Sequence, residues 1–279
     1  MSGDADGREN EALEPFQVLF EDEGLPRGEL PEELARVYGG GLGLPERCLY
    51  ANFVATVDGV VALPGVPGSN ELVAGGSEAD RFLMGLLRAH ADAVLIGAGV
   101  LRDSPRGTWL PEKVYPPAAA AFAELRRALG LAPEPEVAVL SGRGEIDPRH
   151  PRLAAGALVL TGEAGARRLE GRLPPACALL VLGEGPRLDG RAVVDALRGR
   201  GHRRVLSEAG PRAFGTLLAA GVVDELFLTT SPALAGDAGP GSRLRLVEGA
   251  DLVPLLDLRP LSLRRHGDHL FARYAVGRR

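Results

Sequence analysis

The segment Glu208-Ala209-Gly210-Pro211 joins a short apolar run to a stretch whose apolar residues recur at helical spacing. This order predicts a strand, a tight turn of small residues and a helix. Pro211 suits the first helical turn, where its missing N–H leaves no hydrogen bond unmade. Free N–H groups and the positive end of the helix dipole then point outward, which favours binding of a phosphate or pyrophosphate. Taken alone, the segment is also typical of an ordinary strand-to-helix turn.

Glycine turns recur after other predicted strands. Gly97-Ala98-Gly99 follows the apolar run Val94-Leu95-Ile96 in the same way. Ligands of α/β sheets bind beyond the carboxyl ends of the strands, so several such turns on one edge suit an extended dinucleotide. The remaining turns of this kind are Asp58-Gly59, Ser141-Gly142-Arg143, Thr161-Gly162 and Gly183-Glu184-Gly185. Because Gly97-x-Gly99 lacks the third glycine of the Gly-x-Gly-x-x-Gly fingerprint, a standard Rossmann domain is not predicted.

Composition narrows the class of protein. The net charge of −5 disfavours a general nucleic-acid surface, and no apolar run is long enough to cross a bilayer. Cys48 and Cys177 are too few for a disulfide framework or a zinc site, and the five histidines have no metal-ligand spacing. The acidic start of the chain does not resemble a signal peptide. We therefore expect a cytoplasmic protein that acts on a small molecule, without a metal, membrane or nucleic-acid partner.

Strands that alternate with helices predict an α/β fold built on a largely parallel sheet. Residues 49–57 are nearly continuous in apolar or small residues, which is typical of a strand buried on both faces. After the Asp58-Gly59 turn, we expect residues 60–62 to resume this strand. A helix begins at Ser77, with Asp80 at the capping-box spacing.

Two long strands at the end of the chain, 255–265 and 269–276, are joined by a turn and predict an antiparallel hairpin. Short connections elsewhere indicate one main domain over residues 48–279. We interpret residues 1–47 as an N-terminal arm that packs on this domain and is disordered over residues 1–12.

Five motifs in combination give the chain a family resemblance. They are Asn52-Phe53-Val54-Ala55-Thr56-Val57-Asp58-Gly59, Ala91-Asp92-Ala93-Val94-Leu95-Ile96-Gly97-Ala98-Gly99, Glu208-Ala209-Gly210-Pro211, the run 217–226 and the run 231–236. Over about residues 49–276 the chain resembles the reductase domain of the riboflavin-biosynthesis deaminase–reductases, which has the dihydrofolate-reductase-like fold. It is most similar to stand-alone pyrimidine reductases, because two distant cysteines cannot form the zinc deaminase signature.

The resemblance implies NADPH as the cofactor. It implies contacts from Thr56, Gly97, Ala98, Gly99, Glu208, Ala209, Gly210 and Pro211. From the residues themselves, we expect the adenosine ribose near Ser141, Arg143 and Thr161. Arg143 can hold a 2′-phosphate through two charge-assisted hydrogen bonds. The alternative for Arg143 is a solvated loop charge.

The resemblance also implies a substrate site. Its substrate-binding residues would be Asn52, Asp58, Arg88 and Asp103, and Asp58, Asp103 and Glu208 are unranked catalytic candidates for orienting the substrate or relaying a proton. Asp58 is equally typical of a turn residue that bonds its own backbone, and Arg88 of a cation at a helix C-terminus. Because Glu208 stands at a strand end, we expect its removal to weaken ligand binding with little loss of folding.

The first functional hypothesis is an NADPH-dependent reductase resembling 5-amino-6-(5-phosphoribosylamino)uracil reductase, with a dihydrofolate or pteridine reductase as a variant. The second is a non-catalytic dinucleotide-binding protein, because Val60 stands where substrate-reducing members of the family carry a lysine. We expect the C-terminal strands to form an exposed edge of the sheet, whose unpaired backbone groups favour pairing with another chain. The resemblance implies that this edge is paired across a dimer. We therefore expect a homodimer through these strands.

Overall fold

The computed structural model describes residues 13–277, so the disorder predicted for residues 1–12 lies outside the described residues. The strands are β1 (Gln17–Glu21), β2 (Cys48–Thr56), β3 (Val60–Ala62), β4 (Ala93–Gly97), β5 (Glu136–Leu140), β6 (Leu158–Thr161), β7 (Ala178–Val181), β8 (Arg204–Glu208), β9 (Glu225–Ser231), β10 (Leu244–Arg245), β11 (Leu258–His266) and β12 (His269–Val276). The helices are α1 (Glu32–Tyr38), α2 (Ser69–Val73), α3 (Glu78–His90), α4 (Ala98–Asp103), α5 (Pro111–Val114), α6 (Ala119–Ala128), α7 (Pro151–Ala154), α8 (Glu163–Leu169), α9 (Gly190–Gly199) and α10 (Pro211–Ala219). A 3-10 turn, Pro116–Ala118, precedes α6.

One large sheet carries the fold, in the strand order β1-β11-β12-β9-β2-β8-β4-β5-β6-β7. Neighbouring strands run parallel from β9 to β7. They run antiparallel from β1 to β9. The prediction of an α/β fold, with a mostly parallel sheet and an antiparallel C-terminal hairpin, is confirmed.

Strand β2 lies at the centre of the sheet, between β8 and β9. On one face the Tyr50 hydroxyl donates a hydrogen bond of 2.8 Å to the carbonyl of Leu87 in α3. On the other face Phe53 packs against Phe214 of α10, with ring centroids 4.8 Å apart. Helices therefore cover both faces, and β2 is buried on both as predicted. Side chains alternate along a strand, so Asn52, like Tyr50, faces α3.

Two predicted features differ in the structure. Residues 60–62 do not resume β2, because β3 pairs with β10 in a separate two-stranded sheet. Gly59, with φ of 82°, turns the chain away from the large sheet, in a region of backbone space that favours glycine. The C-terminal hairpin also begins at Leu258, three residues after the predicted start.

The prediction that the C-terminal hairpin forms an exposed edge is wrong. Strand β1 of the N-terminal arm pairs with β11, so β1 is the free edge on that side. Val18, Leu19 and Phe20 of β1 are each about half exposed. The division of the chain into an arm and a domain at residues 47 and 48 stays a prediction.

Two buried arginines of the hairpin fasten the arm. Arg264 is 1% exposed, donates to the Tyr38 carbonyl at 3.0 Å and pairs with Glu21 at 2.5 Å. Its guanidinium also lies 4.0 Å from the centroid of the Tyr38 ring. Arg273 is held by both oxygens of Glu225 and donates to the Gly43 carbonyl at 2.8 Å. Buried charges need such partners, so the arm completes the environment of these two cations.

Membrane and metal features were searched within residues 13–277. No helix there is long and apolar enough to span a membrane, and no group of three or more His, Cys, Asp or Glu residues is arranged to hold a metal ion.

Candidate active site

Two small-residue turns meet at the carboxyl edge of the sheet. Strand β4 ends at Gly97, and its neighbour β8 ends at Glu208. A Cβ on Gly97 would lie only 2.4 Å from the carbonyl oxygen of Ala209. Glycine at position 97 is therefore what allows the two turns to lie side by side. The turns Gly97-Ala98-Gly99 and Glu208-Ala209-Gly210 form adjoining parts of one surface.

Helix α10 begins on this surface. Gly210 precedes Pro211, the first residue of α10, and has φ of 81°, in the left-handed region. The Ala209–Gly210 peptide is trans. Within the described residues, the cis peptide bond is Val253–Pro254. The start of α10 thus presents free N–H groups at the carboxyl edge, where a phosphate is favoured.

A buried ion pair lies beneath the turn after β8. Arg88 of α3 donates from Nε and Nη2 to the two oxygens of Glu208, at 3.0 and 2.6 Å. The two side chains are only 9% and 11% exposed. Removing one partner of such a pair typically costs about 3–5 kcal/mol of stability, because the other charge stays buried. The structure thus revises the expectation that removal of Glu208 spares folding, and it shows Arg88 bonded to Glu208.

Thr56 and Asp58 close the carboxyl end of β2. The Thr56 hydroxyl donates to Asp58 Oδ1 at 2.5 Å, and the backbone N–H groups of Ala235 and Gly236 donate to the same carboxylate at 3.2 and 2.8 Å. The Thr56 bond and these backbone bonds lower the pKa of Asp58 to about 2. Asp58 is therefore ionised at neutral pH and holds the loop after β9 against β2.

A cavity of about 260 Å³ opens beyond the ends of β4 and β5. Three arginines line it, namely Arg102, Arg143 and Arg187, together with Ala98, Leu140, Ser141, Gly142, Glu145 and Pro186. No ion pair joins any of the three arginines to a carboxylate within the described residues. Sequence reasoning named Arg143 but missed Arg102 and Arg187. Their signal was available, since each follows a glycine turn at the end of a strand.

Ser141 and Thr161 support the wall of this cavity. The Thr161 hydroxyl donates to the Ser141 carbonyl at 2.6 Å, and Thr161 is fully buried. A Cβ on Gly142 would lie 1.9 Å from the carbonyl oxygen of Pro186, so glycine lets the turns after β5 and β7 approach each other. Thr161 therefore positions the cavity wall, with its hydroxyl already engaged.

The structure does not bring all of the predicted substrate-binding residues to one place. The register that pairs Ala51 with Ser207 brings Asn52 and Glu208, the next residues of β2 and β8, side by side. Asn52 is 9% exposed, and its Oδ1 has no hydrogen-bond partner among the described residues. Asp103 is exposed at the end of α4. The structure thus brings together Asn52, Arg88 and Glu208 but leaves Asp103 outside this buried group.

The carboxyl edge fits a nicotinamide dinucleotide. The start of α10, beside the meeting point of the two turns, suits a pyrophosphate. The arginine-lined cavity adds positive charge beyond β4 and β5, at the edge where α/β sheets bind ligands. The edge therefore has the features that an extended anionic cofactor requires.

Comparisons with known proteins agree with this arrangement. Residues 47–270 match the family described as the RibD C-terminal domain. A 2,5-diamino-6-ribosylamino-4(3H)-pyrimidinone 5′-phosphate reductase of Archaeoglobus fulgidus is 26% identical over 192 residues, which cover 67% of this chain and 81% of that protein. A pyrimidine reductase-like protein of Corynebacterium diphtheriae has a similar structure, with a TM-score of 0.66, 25% identity and coverage of 88% of this chain and 99% of that one. The riboflavin biosynthesis reductase Rib7 of Saccharomyces cerevisiae shares the fold, with a TM-score of 0.59, 12% identity and coverage of 86% and 94%.

The family match and the named reductase relatives define the class as an oxidoreductase that uses a nicotinamide dinucleotide. The chain belongs to the RibD C-terminal domain family, the pyrimidine reductases of riboflavin biosynthesis. The predicted family, fold and reaction class are confirmed.

Replacing Gly97 with alanine tests the meeting of the two turns. The new Cβ would collide with the Ala209 carbonyl, so the turn must move, and we expect dinucleotide binding to weaken about tenfold or more. The matched control is Gly199→Ala at the end of α9, whose Cβ has no atom within 4 Å and which belongs to neither turn. Cofactor fluorescence titrations of both variants, with melting curves to verify folding, make the measurement. Equal affinities in the two variants would place the cofactor elsewhere.

Proposed function

We propose that this protein uses NADPH to reduce the ribosylamino side chain of a pyrimidine 5′-phosphate to a ribitylamino group. The observation that carries the proposal is the junction of the Gly97 and Ala209 turns beside an arginine-lined cavity, in a chain of this family. The Archaeoglobus relative, named as a reductase of such a substrate, supports it. When bound, the nicotinamide supplies the hydride.

NADPH is preferred over NADH in this proposal because of the cavity charges. Arg102, Arg143 and Arg187 face one Glu145 in the cavity, so the lining carries an excess of positive charge. A 2′-phosphate brings two negative charges and accepts paired hydrogen bonds from a guanidinium. An NADH site is instead usually marked by an acid that accepts from the 2′-hydroxyl.

The chain's own residues position the reactants. The two hydrogen bonds from Arg88 fix the Glu208 side chain in place, so we assign Glu208 to positioning the turn and the substrate. Asp58, with a pKa of about 2, cannot donate a proton at neutral pH, and we assign it to holding the loop at 232–236. Asn52 presents an unpartnered amide oxygen beside Glu208 and is proposed to accept a hydrogen bond from the substrate. Asp103 stays an unassigned candidate, and a cytoplasmic location stays a prediction.

The activity itself is tested by turnover. Purified protein with NADPH should consume 5-amino-6-(5-phosphoribosylamino)uracil or 2,5-diamino-6-ribosylamino-4(3H)-pyrimidinone 5′-phosphate, with the ribitylamino product seen by mass spectrometry. Dihydrofolate serves as the comparison substrate. Faster turnover of dihydrofolate would favour a pteridine reductase, and cofactor binding without any turnover would favour a non-catalytic protein.

The cofactor preference is tested at Arg143. The parent should bind NADPH more tightly than NADH, and Arg143→Ala should reduce the difference by about 1–3 kcal/mol, the scale of charged hydrogen bonds. Arg149→Ala is the matched control, because Arg149 lies in the same loop but pairs with Asp147 outside the cavity. Calorimetric titration of both cofactors into the three proteins measures the differences. Equal affinities in the parent would remove the NADPH assignment.

The assembly follows from the free edge of the sheet. We propose a homodimer at the antiparallel end, where apolar side chains of β1 are about half exposed. Leu19→Glu should therefore give a monomer by light scattering at micromolar concentration, where the parent is a dimer. Val181→Glu on β7, the opposite edge strand, is the control and should leave the dimer intact. A monomeric parent would contradict the proposal.

A further inference from the structure

A second cavity lies at the edge of the sheet opposite the candidate active site. Its volume is about 220 Å³. Strands β5, β6 and β7 run parallel, so their amino ends lie together at one edge. The cavity wall includes the first residues of β5 and β7 and the residue before β6, namely Glu136, Ala178 and Ala157. The candidate active site is built on the carboxyl edge, so the two cavities are separate.

Arg152 of α7 lines this cavity and carries a buried charge. The residue is only 7% exposed. Its Nη2 donates to the Gly156 carbonyl at 2.7 Å, and its Nη1 makes a long bond of 3.4 Å to the Thr108 carbonyl. Its Nε is buried and has no hydrogen-bond partner among the described residues. A guanidinium has five N–H donors, so these two bonds leave more than half of them without a protein partner.

No ion pair joins Arg152 to a carboxylate within residues 13–277. Glu136, the carboxylate in the cavity wall, is engaged by other groups. Its two oxygens accept from Arg200 at 2.9 and 2.6 Å, and His202 Nε2 lies 2.5 Å from Oε2. Because buried charges in proteins are ordinarily paired, Arg152 lacks the counter-ion that its burial requires.

The carbonyl contacts of Arg152 account for only part of its placement. Gly156 follows the C-terminal end of α7, where a basic side chain commonly bonds a free carbonyl. That role uses one N–H group and does not require a cavity beside the guanidinium. The neighbouring wall consists of small apolar residues, including Ala155, Ala157 and Ala176. Apolar walls strengthen the attraction between a cation and an anion, because they lower the local dielectric constant.

We propose that this cavity binds a small oxyanion, the phosphate or carboxylate group of a metabolite, and that Arg152 holds it. The oxygens of either group accept paired hydrogen bonds from a guanidinium, so such a ligand supplies both the missing charge and the missing acceptors. The volume lies below the about 300–1,000 Å³ of pockets for drug-sized ligands, so the ligand is small. The site does not depend on the proposed reduction, because it lies at the other edge of the sheet.

Arg152 also contacts the loop that follows α4. Thr108, whose carbonyl accepts from Nη1, precedes Trp109, the one tryptophan of the chain. Trp109 is 4% exposed, and its ring centroid lies 6.0 Å from that of His150, two residues before Arg152. An anion that reorients Arg152 should therefore change the fluorescence of Trp109.

Titration of the full chain with inorganic phosphate and, separately, with acetate tests the site at constant ionic strength. Calorimetry measures binding, and Trp109 fluorescence reports events near Arg152. We expect saturable binding in the parent. Arg152→Gln should weaken it about tenfold or more, because the charge-assisted hydrogen bonds are lost while the amide can still donate to Gly156. The anion that binds more tightly shows whether the natural ligand carries a phosphate or a carboxylate.

Arg149→Gln is the matched control. It removes the same charge from an exposed arginine that pairs with Asp147 and does not line the cavity, and it should bind the anion as the parent does. Ala178→Leu is a second test that retains Arg152. Ala178 is an exposed residue of β7 in the cavity wall, so the larger side chain fills the cavity without entering the core and should also weaken binding about tenfold or more.

The outcomes decide for or against the cavity. Loss of binding in folded Arg152→Gln and Ala178→Leu, with parent-like binding in Arg149→Gln, supports the proposal. Binding that survives both cavity substitutions but is lost in Arg143→Ala overturns it, because the anion then occupies the arginine-lined cavity at the carboxyl edge. A parent that binds neither anion at millimolar concentrations also overturns it. Melting curves verify that each variant is folded, and Ala178→Leu decides alone if Arg152→Gln is not.

Discussion

The ion pair between Arg88 and Glu208 links the two halves of the candidate site. Glu208 is the last residue of β8 and leads directly into the turn that meets Gly97, whereas Arg88 belongs to α3, whose first turn carries Asp80. A second arginine, Arg126 of α6, donates to the carbonyls of Arg88 and Ala91 at 3.2 and 2.8 Å and so fixes the C-terminal end of α3. Because a buried charge without its partner costs about 3–5 kcal/mol, α3 and the cofactor-side turn hold each other in place.

This coupling explains why polar groups are tolerated deep in a parallel sheet. Strands buried on both faces are ordinarily filled with aliphatic side chains, as β4 is here. On the α3 face, the pattern breaks at Asn52, Glu208 and Thr229, which lie on the three adjacent strands β2, β8 and β9. Each departure lowers the stability available from packing. Their concentration in one place, under a helix that an ion pair fixes, is typical of a binding site more than of a core.

Sequence reasoning recovered the fold because local periodicity and tertiary packing agree over most of the chain. The helix at Ser77, the buried strand β2 and the Pro211 turn all follow from residue type and spacing. It failed where the outcome depends on pairing between distant segments. Nothing local in residues 17–21 indicates that they cover β11, and nothing local in residues 60–62 indicates a partner at Leu244. The same limit applies to the site. Arg102 and Arg187 each follow a glycine turn, but only the placement of β4 and β7 in one sheet shows that they line the same cavity.

The distribution of charge within the site differs from that of the whole protein. The chain carries a net charge of −5, which would repel a dinucleotide and a sugar phosphate at long range. Local fields oppose this repulsion, since three arginines surround one cavity and the start of α10 adds its dipole. Salt at about 0.1 M screens the interactions of exposed charges beyond about 10 Å, and it screens buried charges far less. Cofactor capture at the exposed arginines should therefore depend on ionic strength, whereas the buried ion pair of Arg88 and Glu208 should change far less with added salt.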